Sequence, residues 1–394
     1  MKPSPDKNTS VFPHGHIDRS NWKRVKLGDV ADFSTETVRT DLIDLEWYIG
    51  TENMLANCEG VVKNTIPIQY GQVRLYRKGD ILISNIRPYL KKIWLATRDG
   101  GCSTDVNVIH SKGNEFSSDL LHYVLSQDAF FDYIMSNAIG TKMPRGDKAV
   151  IKNFEFDFPT EKDEQQKIVS GLSAISNHID IVQKLVSKYD AIKKATVNLL
   201  LEQRPGWEKV KFSDVCSSFE YGVGAPAMSF DGRNKYIRIT DIDDTSHEFK
   251  PTPLSSPTFF DHNHVVRVGD ILFARTGASV GKSYLYCPTD GKLIFAGFLI
   301  RASICTNVAD PKFIFLQTLT ARYRQWVSEE SMRSGQPGLN INQYKDFELY
   351  LPELSEQRKI AAQISAIDNV LKDCHAQLAK AQSLKQGMMS YFFG

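Results

Sequence analysis

One helical stretch occurs twice in this chain, and the repeat limits the possible folds more than any other feature. Residues 164–168 read Glu-Gln-Gln-Lys-Ile, and residues 356–360, 192 positions later, read Glu-Gln-Arg-Lys-Ile. In both copies the apolar residues that follow recur at alternating steps of four and three, the pattern of a helix that packs along one stripe against another helix. The sequence therefore predicts two long helices joined by a heptad seam. We expect the seam to contain Ile168, Leu172, Ile175, Ile179, Val182 and Val186 from the first helix, and Ile360, Ile364, Ile367, Leu371, Cys374 and Leu378 from the second.

The segments before the two helices are also repeated, in the same order. The opening Trp-x-x-Val-Lys-x-x-Asp-Val pattern, the Tyr-Ile pair and the Gly-Asp-Ile-Leu string each occur once in each half. Gly-Asp before an apolar run is typical of a turn that leads into a buried strand. Each half then continues with a helical segment and a short strand that ends at proline. In the order of these features, the matching segments are 22–30 and 207–215, 48–49 and 236–237, 79–82 and 269–272, 119–137 and 310–328, and 154–159 and 347–352.

The repeat divides the chain into two α/β modules, each followed by a long helix. The predicted boundaries are a flexible N-terminal arm at 1–20, a first domain at 21–160, a first helix at 161–204, a second domain at 205–353 and a second helix at 354–392. The first helix should end before the Arg-Pro-Gly string at 204–206, because proline and glycine break helices. The seam pattern alone allows a parallel or an antiparallel helix pair. In the antiparallel form, a pseudo-twofold axis relates the two halves.

Composition excludes several classes of protein. The formal net charge is only +2 over 394 residues, so nucleic-acid binding would have to come from local basic patches. The six cysteines include no Cys-x-x-Cys pair, which favours reduced thiols in the cytoplasm. The longest apolar run, near residues 293–300, is far shorter than the roughly 20 residues of a membrane helix. We therefore expect a soluble, cytoplasmic protein.

Three motifs suggest chemistry, and each departs from the pattern that the chemistry needs. The string at 277–283, Gly-Ala-Ser-Val-Gly-Lys-Ser, has three residues between its glycines where a phosphate-binding P-loop has four, and a strand pattern follows it. Gly222 and Gly224 lack the apolar strand that precedes the glycine loop of an S-adenosylmethionine site. His262 and His264 have no second pair of ligands for a metal. We predict no catalytic residue, no metal and no cofactor in this chain.

Basic residues mixed with aromatic and amide residues occur at two matching places of each repeat, after the Gly-Asp strand and near the end of the module. Such side chains can neutralise phosphates, and Arg, Gln and Asn can also read base edges. Their recurrence at matching places favours a DNA-binding face. The candidates are Arg87, Tyr89, Lys91, Lys92, Lys142, Arg145 and Lys148 in the first repeat, and Arg275, Thr276, Ser279, Lys282, Arg333, Gln336 and Asn340 in the second.

Taken together and in this order, the repeated motifs resemble those of the specificity (S) subunit of type I restriction–modification systems, over about residues 20–394. The resemblance rests on the paired Trp-x-x-Val openings, the Gly-Asp-Ile-Leu strands with their Arg-bearing loops, the Glu-Gln-x-Lys-Ile helix starts and the Leu/Ile-Ser-Ala-Ile seams. It implies two target-recognition domains, each reading one half of a bipartite site in double-stranded DNA. Between them, an antiparallel helix pair would act as a ruler. The target sequence does not carry over.

The resemblance also implies a chain without catalytic activity that works with other subunits. These would be methyltransferase (M) subunits that bind S-adenosylmethionine, and restriction/translocase (R) subunits that use ATP and Mg. Three other interpretations of the sequence remain open: a sequence-specific DNA-binding regulator that acts alone, a nucleotide hydrolase that uses residues 277–283, and a scaffold that binds only protein.

Overall fold

A computed structural model describes residues 19–112, 116–137, 144–331 and 338–394. The chain divides into two compact units, unit 1 (Met1–Gln183 and Gln377–Gly394) and unit 2 (Lys184–Ala376). Each unit contains one α/β domain and a part of each long helix. No helix in the described ranges is long and apolar enough to cross a membrane.

The elements that begin in unit 1 end with the first long helix. The strands of unit 1 are β1 (Trp22–Lys26), β2 (Ala31–Phe33), β3 (Thr37–Arg39), β4 (Gln72–Tyr76), β5 (Ile81–Ser84), β6 (Ile93–Leu95), β7 (Gly100–Cys102), β8 (Val106–Ser111) and β9 (Glu155–Pro159). Its helices are α1 (Leu27–Val30), α2 (Ser118–Leu125), α3 (Asp128–Ser136), α4 (Lys148–Ile151) and the long α5 (Lys162–Leu200), which ends in unit 2.

The elements that begin in unit 2 follow the same plan. Its strands are β10 (Glu208–Lys211), β11 (Cys216–Tyr221), β12 (Ala227–Ser229), β13 (Lys235–Ile237), β14 (Ser255–Pro257), β15 (Asp270–Ala274), β16 (Ser283–Leu285), β17 (Leu293–Phe295), β18 (Leu299–Ile304) and β19 (Glu348–Leu351). Its helices are α6 (Pro311–Gln317), α7 (Ala321–Ser331), α8 (Ile341–Asp346) and the long α9 (Leu354–Phe393), which ends in unit 1.

The main sheet and the pairing of the first and last strands are the same in the two domains. The main sheet has the order β2-β8-β5-β6 in unit 1 and β11-β18-β15-β16 in unit 2, with antiparallel neighbours throughout. The repeated Trp-x-x-Val opening forms β1 and β10, which pair with the closing strands β9 and β19. Each domain thus joins its first strand to its last, immediately before its long helix begins. The sequence repeat is therefore a repeat of structure.

The Gly-Asp motif forms the turn that leads into the central strand of each domain. The carboxylate of Asp80 accepts a hydrogen bond from the backbone N–H of Arg77 at 2.7 Å, and Asp270 accepts one from Arg267 at 2.8 Å. All residues of the following strands, β5 and β15, are buried. The prediction of a turn before a buried strand is confirmed in both repeats.

Each of the two predicted helical segments, 119–137 and 310–328, is in fact two helices. At each break a hydroxyl side chain bonds to a main-chain carbonyl of the preceding turn. Ser126 Oγ donates to His122 O at 2.7 Å between α2 and α3, and Thr320 Oγ1 donates to Gln317 O at 2.8 Å between α6 and α7. The apolar spacing predicted helix correctly but carried no information on these local breaks.

The two long helices run in opposite directions. In unit 1, Met388 from the end of α9 packs on the core that contains Leu172 from the start of α5. In unit 2, Val197 from the end of α5 shares a core with Ile364 from the start of α9. The predicted fold class, an α/β (α+β) chain with two similar domains and a long antiparallel helix pair, is confirmed.

The residues of the predicted seam are all buried or half-buried. The buried ones are Ile168, Leu172, Val182, Ile360, Ile364, Leu371 and Cys374. The half-buried ones are Ile175, Ile179, Val186, Ile367 and Leu378.

The glutamine of the repeated Glu-Gln-x-Lys-Ile motif fastens each helix start to its domain. Gln357, which is 0% exposed, accepts a hydrogen bond from the Asp310 backbone N–H at 2.8 Å and donates to Pro352 O at 2.9 Å. In the other repeat Gln165 accepts from Ser117 N–H at 3.0 Å and donates to Pro159 O at 2.9 Å. Asp310 and Ser117 are the N-cap residues of α6 and α2. One side chain therefore joins three elements in each domain.

Replacing Gln357 by leucine, which has a similar volume, is expected to destabilise unit 2 by about 2–6 kcal/mol. The substitution leaves the Asp310 N–H and the Pro352 carbonyl without a partner in a buried place, at about 1–3 kcal/mol for each group. The free energy of unfolding from a urea titration measures the effect. Gln363→Leu is the matched control, since Gln363 is exposed on the same helix. A loss below about 1 kcal/mol for Gln357→Leu would show that water replaces these bonds.

Candidate nucleic-acid interface

The two groups of basic residues that the sequence separates in the first repeat meet in unit 1. The loop after β5 forms a β-bridge to the segment before α4, between Ile86 and Arg145. Two main-chain hydrogen bonds flank the bridge, from Arg87 N–H to Pro144 O at 3.0 Å and from Gly146 N–H to Asn85 O at 3.1 Å. Candidate residues from both places therefore lie on one joined surface.

Unit 2 repeats this arrangement with a different sequence. The loop after β15 forms a β-bridge between Thr276 and Gly338, and Leu339 N–H donates to Arg275 O at 2.8 Å. We call these two structures the paired loops: residues 85–92 with 144–148 in unit 1, and residues 275–282 with 338–340 in unit 2. Because the backbone pairing is the same, side chains can be compared position by position.

The first loop of each pair has the same backbone shape, which includes two left-handed residues. These are Arg87 (φ 50°) and Lys91 (φ 49°) in unit 1, and Gly277 (φ 77°) and Gly281 (φ 84°) in unit 2. The left-handed region is costly for residues with a side chain, whereas glycine adopts it readily. Backbone strain of this kind is concentrated at functional sites. Its presence at the exposed Arg87 is consistent with a functional loop.

Two of the candidate lysines have structural contacts. Lys92 Nζ donates to Thr51 O at 2.7 Å. At the matching position, Lys282 Nζ donates to Ile242 O at 2.8 Å and lies 2.6 Å from a carboxylate oxygen of Asp244, with only 10% of the side chain exposed. The same lysine thus ties the loop to the neighbouring segment in both units. This contact directs both amines inward, away from any phosphate outside the loop.

Lys91 and Lys148, the other candidate lysines of unit 1 within the described residues, also have neighbours in the unit. A hydrogen bond from Lys91 to Asp128, 2.7 Å long, raises the pKa of this lysine. Lys148 lies over the ring of Phe33 at 5.7 Å. Partial burial, with a smaller repulsion from nearby basic groups, lowers the pKa of Lys148. Both lysines remain partly exposed, but Lys91 is paired with a carboxylate and Lys148 packs against an aromatic ring.

The candidate side chains that face outward are fewer. In unit 1 they are Arg87, Tyr89 and Arg145. In unit 2, Arg275, Thr276 and Ser279 are half-exposed, and Asn340 is exposed at the N-cap of α8. Lys142, Arg333 and Gln336 lie outside the described residues.

The near-P-loop at 277–283 does not have the surroundings of a nucleotide site. It leads into strand β16, whereas a P-loop leads into a helix whose N-terminus holds the phosphate. The amine of Lys282, which would have to reach the phosphates, is held by Ile242 and Asp244. At the histidine pair, His264 contacts Asp261 at 2.9 Å. Over the ranges that the structure describes, no group of three potential metal ligands lies together.

Four residues of the paired loops and their surroundings were not among the sequence candidates. Asn85 lies at the position that matches Arg275, and Tyr221 lies under the guanidinium of Arg275, 4.7 Å from its ring centre. Asp105 and Phe298 occupy a further matching position, since their carbonyls accept from Asn85 N–H at 2.7 Å and Arg275 N–H at 3.0 Å. The offset of 190 between the two Gly-Asp motifs could have identified Asn85. Nothing in the sequence pattern pointed to Tyr221.

Comparison with known proteins identifies the family of this chain. The family model for the type I restriction modification DNA specificity domain matches residues 19–188 and again residues 205–381. The MjaVIII type I restriction enzyme specificity subunit of Methanocaldococcus jannaschii is 21% identical, over 96% of this chain and 93% of the relative. The EcoDI specificity subunit of Escherichia coli is 31% identical over a shorter stretch, 28% of this chain and 24% of the relative.

Solved structures show the same fold. The S subunit of a type I restriction–modification system from M. genitalium has a TM-score of 0.65 at 14% identity, covering 95% of this chain and 96% of that one. A chain from a study of complex assembly and conformational transition of the type I R-M system has a TM-score of 0.55 at 18% identity, covering 96% and 98%. The two family matches cover most of the sequence, one in each repeat. The chain belongs to the type I restriction–modification specificity subunits, the non-catalytic subunits that recognise DNA sequence.

Proposed function

We propose that this chain recognises a bipartite target in double-stranded DNA, with one half-site for each domain and a spacer whose length the helix pair sets. The observation that carries the proposal is the pair of matching loop structures. Their backbone pairing is the same in both units, and the side chains that they expose differ. A constant frame with variable exposed residues is what two readers of different sequences require. The proposed domains are 21–160 and 205–353, and the proposed spacer helices are 161–204 and 354–392.

The proposed contacts combine charge and hydrogen bonding. Arg87, Tyr89 and Arg145 in unit 1, and Arg275, Thr276 and Asn340 in unit 2, would meet phosphates and base edges in the major groove. The net charge of +2 provides little general attraction to DNA. Tight binding would therefore need basic surface from partner subunits.

A row of exposed apolar residues on α5 supports methyltransferase docking. Leu185, Ile192 and Leu199 recur every seven residues and are 38%, 38% and 65% exposed, so they form a stripe on one side of the helix. Such a stripe suits a helical partner. The seam residues are unsuited to this role, because they are already buried or half-buried within the chain. We propose that methyltransferase subunits bind this outer stripe.

The remaining parts of the proposal concern the assembled complex. The methyltransferase subunits would bind S-adenosylmethionine, and restriction/translocase subunits would join with ATP and Mg. This chain would supply none of these cofactors. The complex would act on chromosomal and foreign DNA in the cytoplasm.

Exchanging residues 21–160 for the first domain of a specificity subunit with a different target is expected to change one half-site completely. The other half-site and the spacer should stay as they were, because unit 2 and the helix pair are untouched. Sequencing that maps methylated adenines in a host carrying the hybrid with its methyltransferase subunits measures both. A hybrid that altered both half-sites, or neither, would rule out one reader per domain.

A further inference from the structure

The paired loops contain three positions that can be matched between the units through their main-chain bonds. Asn85 matches Arg275, since each N–H donates to the residue immediately before β8 or β18 and each carbonyl accepts from the opposite loop. Asp105 and Phe298 match as the acceptors of those N–H groups. Arg145 matches Gly338, because these residues form the two bridges with Ile86 and Thr276. The matching therefore rests on backbone geometry alone.

At these three positions unit 1 has Asn, Asp and Arg, and unit 2 has Arg, Phe and Gly. Each set holds one arginine, but the two arginines come from opposite partners of the loop pair. Arg275 follows the central strand β15, whereas Arg145 lies on the segment before α4. The arginine of the paired loops thus belongs to the second loop in unit 1 and to the first loop in unit 2. Units that share a frame but read different sequences would be expected to differ in this way.

Each arginine is held by a neighbour that leaves hydrogen-bond donors available. In unit 2 the guanidinium of Arg275 lies over the ring of Tyr221, and within the described ranges no hydrogen bond or ion pair engages it. A cation–π contact uses the face of the guanidinium and leaves its edge free. In unit 1 Arg145 Nη2 lies 3.4 Å from Asp105 Oδ1, and the side chain stays 53% exposed. An arginine has five N–H donors, so this one contact leaves most of them available.

Tyr221 has a further contact that fixes its position. Its hydroxyl accepts a hydrogen bond from Ile341 N–H, at 3.4 Å, at the start of α8. The ring thus connects β11, the guanidinium and the helix that follows the second paired loop. An arginine held in this way loses less conformational freedom when it binds. Arg87, in contrast, is exposed, with no aromatic ring or carboxylate holding it in the described structure.

We propose that Arg145 and Arg275 are the specificity-determining residues of units 1 and 2, and that each reads a guanine in its half-site. Asp105 and Tyr221 are their positioning residues. An arginine that presents its edge donors can bond both O6 and N7 of guanine, the commonest specific contact in the major groove. The freely exposed Arg87 is suited to a phosphate contact. The proposal rests on the proposed function, because it assumes that each unit reads one half-site.

The test maps methylated sequences in hosts that carry variants of the full chain together with its methyltransferase subunits. For Arg275→Ala we expect one guanine position in one half-site to become degenerate, with discrimination falling about 10- to 100-fold. Arg145→Ala should have the same effect in the other half-site. Tyr221→Phe keeps the ring and should keep the motif, whereas Tyr221→Leu should relax the same position as Arg275→Ala. In each variant the untouched half-site reports whether the chain still folds and assembles.

Arg87→Ala is the matched control, and it should lower methylation evenly without changing the motif. If Arg275→Ala and Arg145→Ala behave like Arg87→Ala, both arginines contact phosphates and the proposal is overturned. If the position that becomes degenerate is an A·T pair and not a G·C pair, the guanine assignment is overturned as well. A different result, in which the unmodified chain has no bipartite motif or Arg275→Ala changes both half-sites, would reject the proposed function itself.

Discussion

A chain with seven residues inserted into both long helices is expected to keep both half-sites and to gain a longer spacer. Suitable places are after Val182 in α5 and after Cys374 in α9, which match in the seam repeat. Seven residues preserve the heptad pattern and add about 10 Å of helix. At about 3.4 Å per base pair this corresponds to roughly three base pairs of spacer. Methylation at the original spacing should fall on the order of 100-fold, as for a site in which one half is lost.

Methylation mapping measures the spacer length and both half-sites. Two further variants test whether the result depends on the matched lengths and the heptad pattern of the two helices. Insertion into α5 alone should abolish modification, since both helices pack into the cores of both units and would then differ in length. Insertion of four residues into both helices would shift the seam around each helix and should weaken the packing between the two helices. If the double seven-residue insertion changed the half-site sequences and left the spacing alone, the helices would not be a ruler.

Replacing the three stripe residues Leu185, Ile192 and Leu199 by aspartate is expected to abolish binding of the methyltransferase subunit. Docking would bury these side chains, and three buried unpaired charges would replace apolar contacts at the centre of an interface. We expect affinity to fall at least about 10,000-fold, from roughly 2 kcal/mol or more for each site. Because all three side chains are exposed in this chain, its own stability should change little.

Calorimetric titration of the purified methyltransferase subunit into the variant measures the affinity, and thermal unfolding checks that the variant is folded. Lys194→Asp serves as the control, since Lys194 is exposed on the opposite side of α5. It should bind the partner almost as well as the unmodified chain does. Unchanged affinity in the triple variant would show that the methyltransferase subunit docks elsewhere on the chain.

The sequence predicted those parts of the fold that depend on local pattern. The heptad spacing identified both long helices, and the Gly-Asp motif identified β5 and β15, because in each case a few neighbouring residues determine the structure. The breaks after α2 and α6 could not be predicted, since the apolar spacing continues across them. The role of Gln357 also could not be predicted, because its partners lie 47 and 5 residues away along the chain.

Only part of the candidate interface could be predicted from the sequence, because it also depends on contacts between distant segments. The repeat placed basic residues at two matching regions, but the pairing of Ile86 with Arg145 is a backbone contact between distant segments. The inward direction of Lys92 and Lys282 depends on the carbonyls of Thr51 and Ile242, which sequence spacing does not specify. Comparing the two repeats in three dimensions separates such shared structural lysines from residues that differ between the units.

The most direct test of bipartite recognition is a genome-wide map of methylated adenines in a host that carries this chain with its methyltransferase subunits. We expect a single motif of two defined half-sites, separated by unspecified bases of one fixed length. A contiguous motif, or half-sites found at several spacings, would contradict recognition by two domains held apart by a helical ruler.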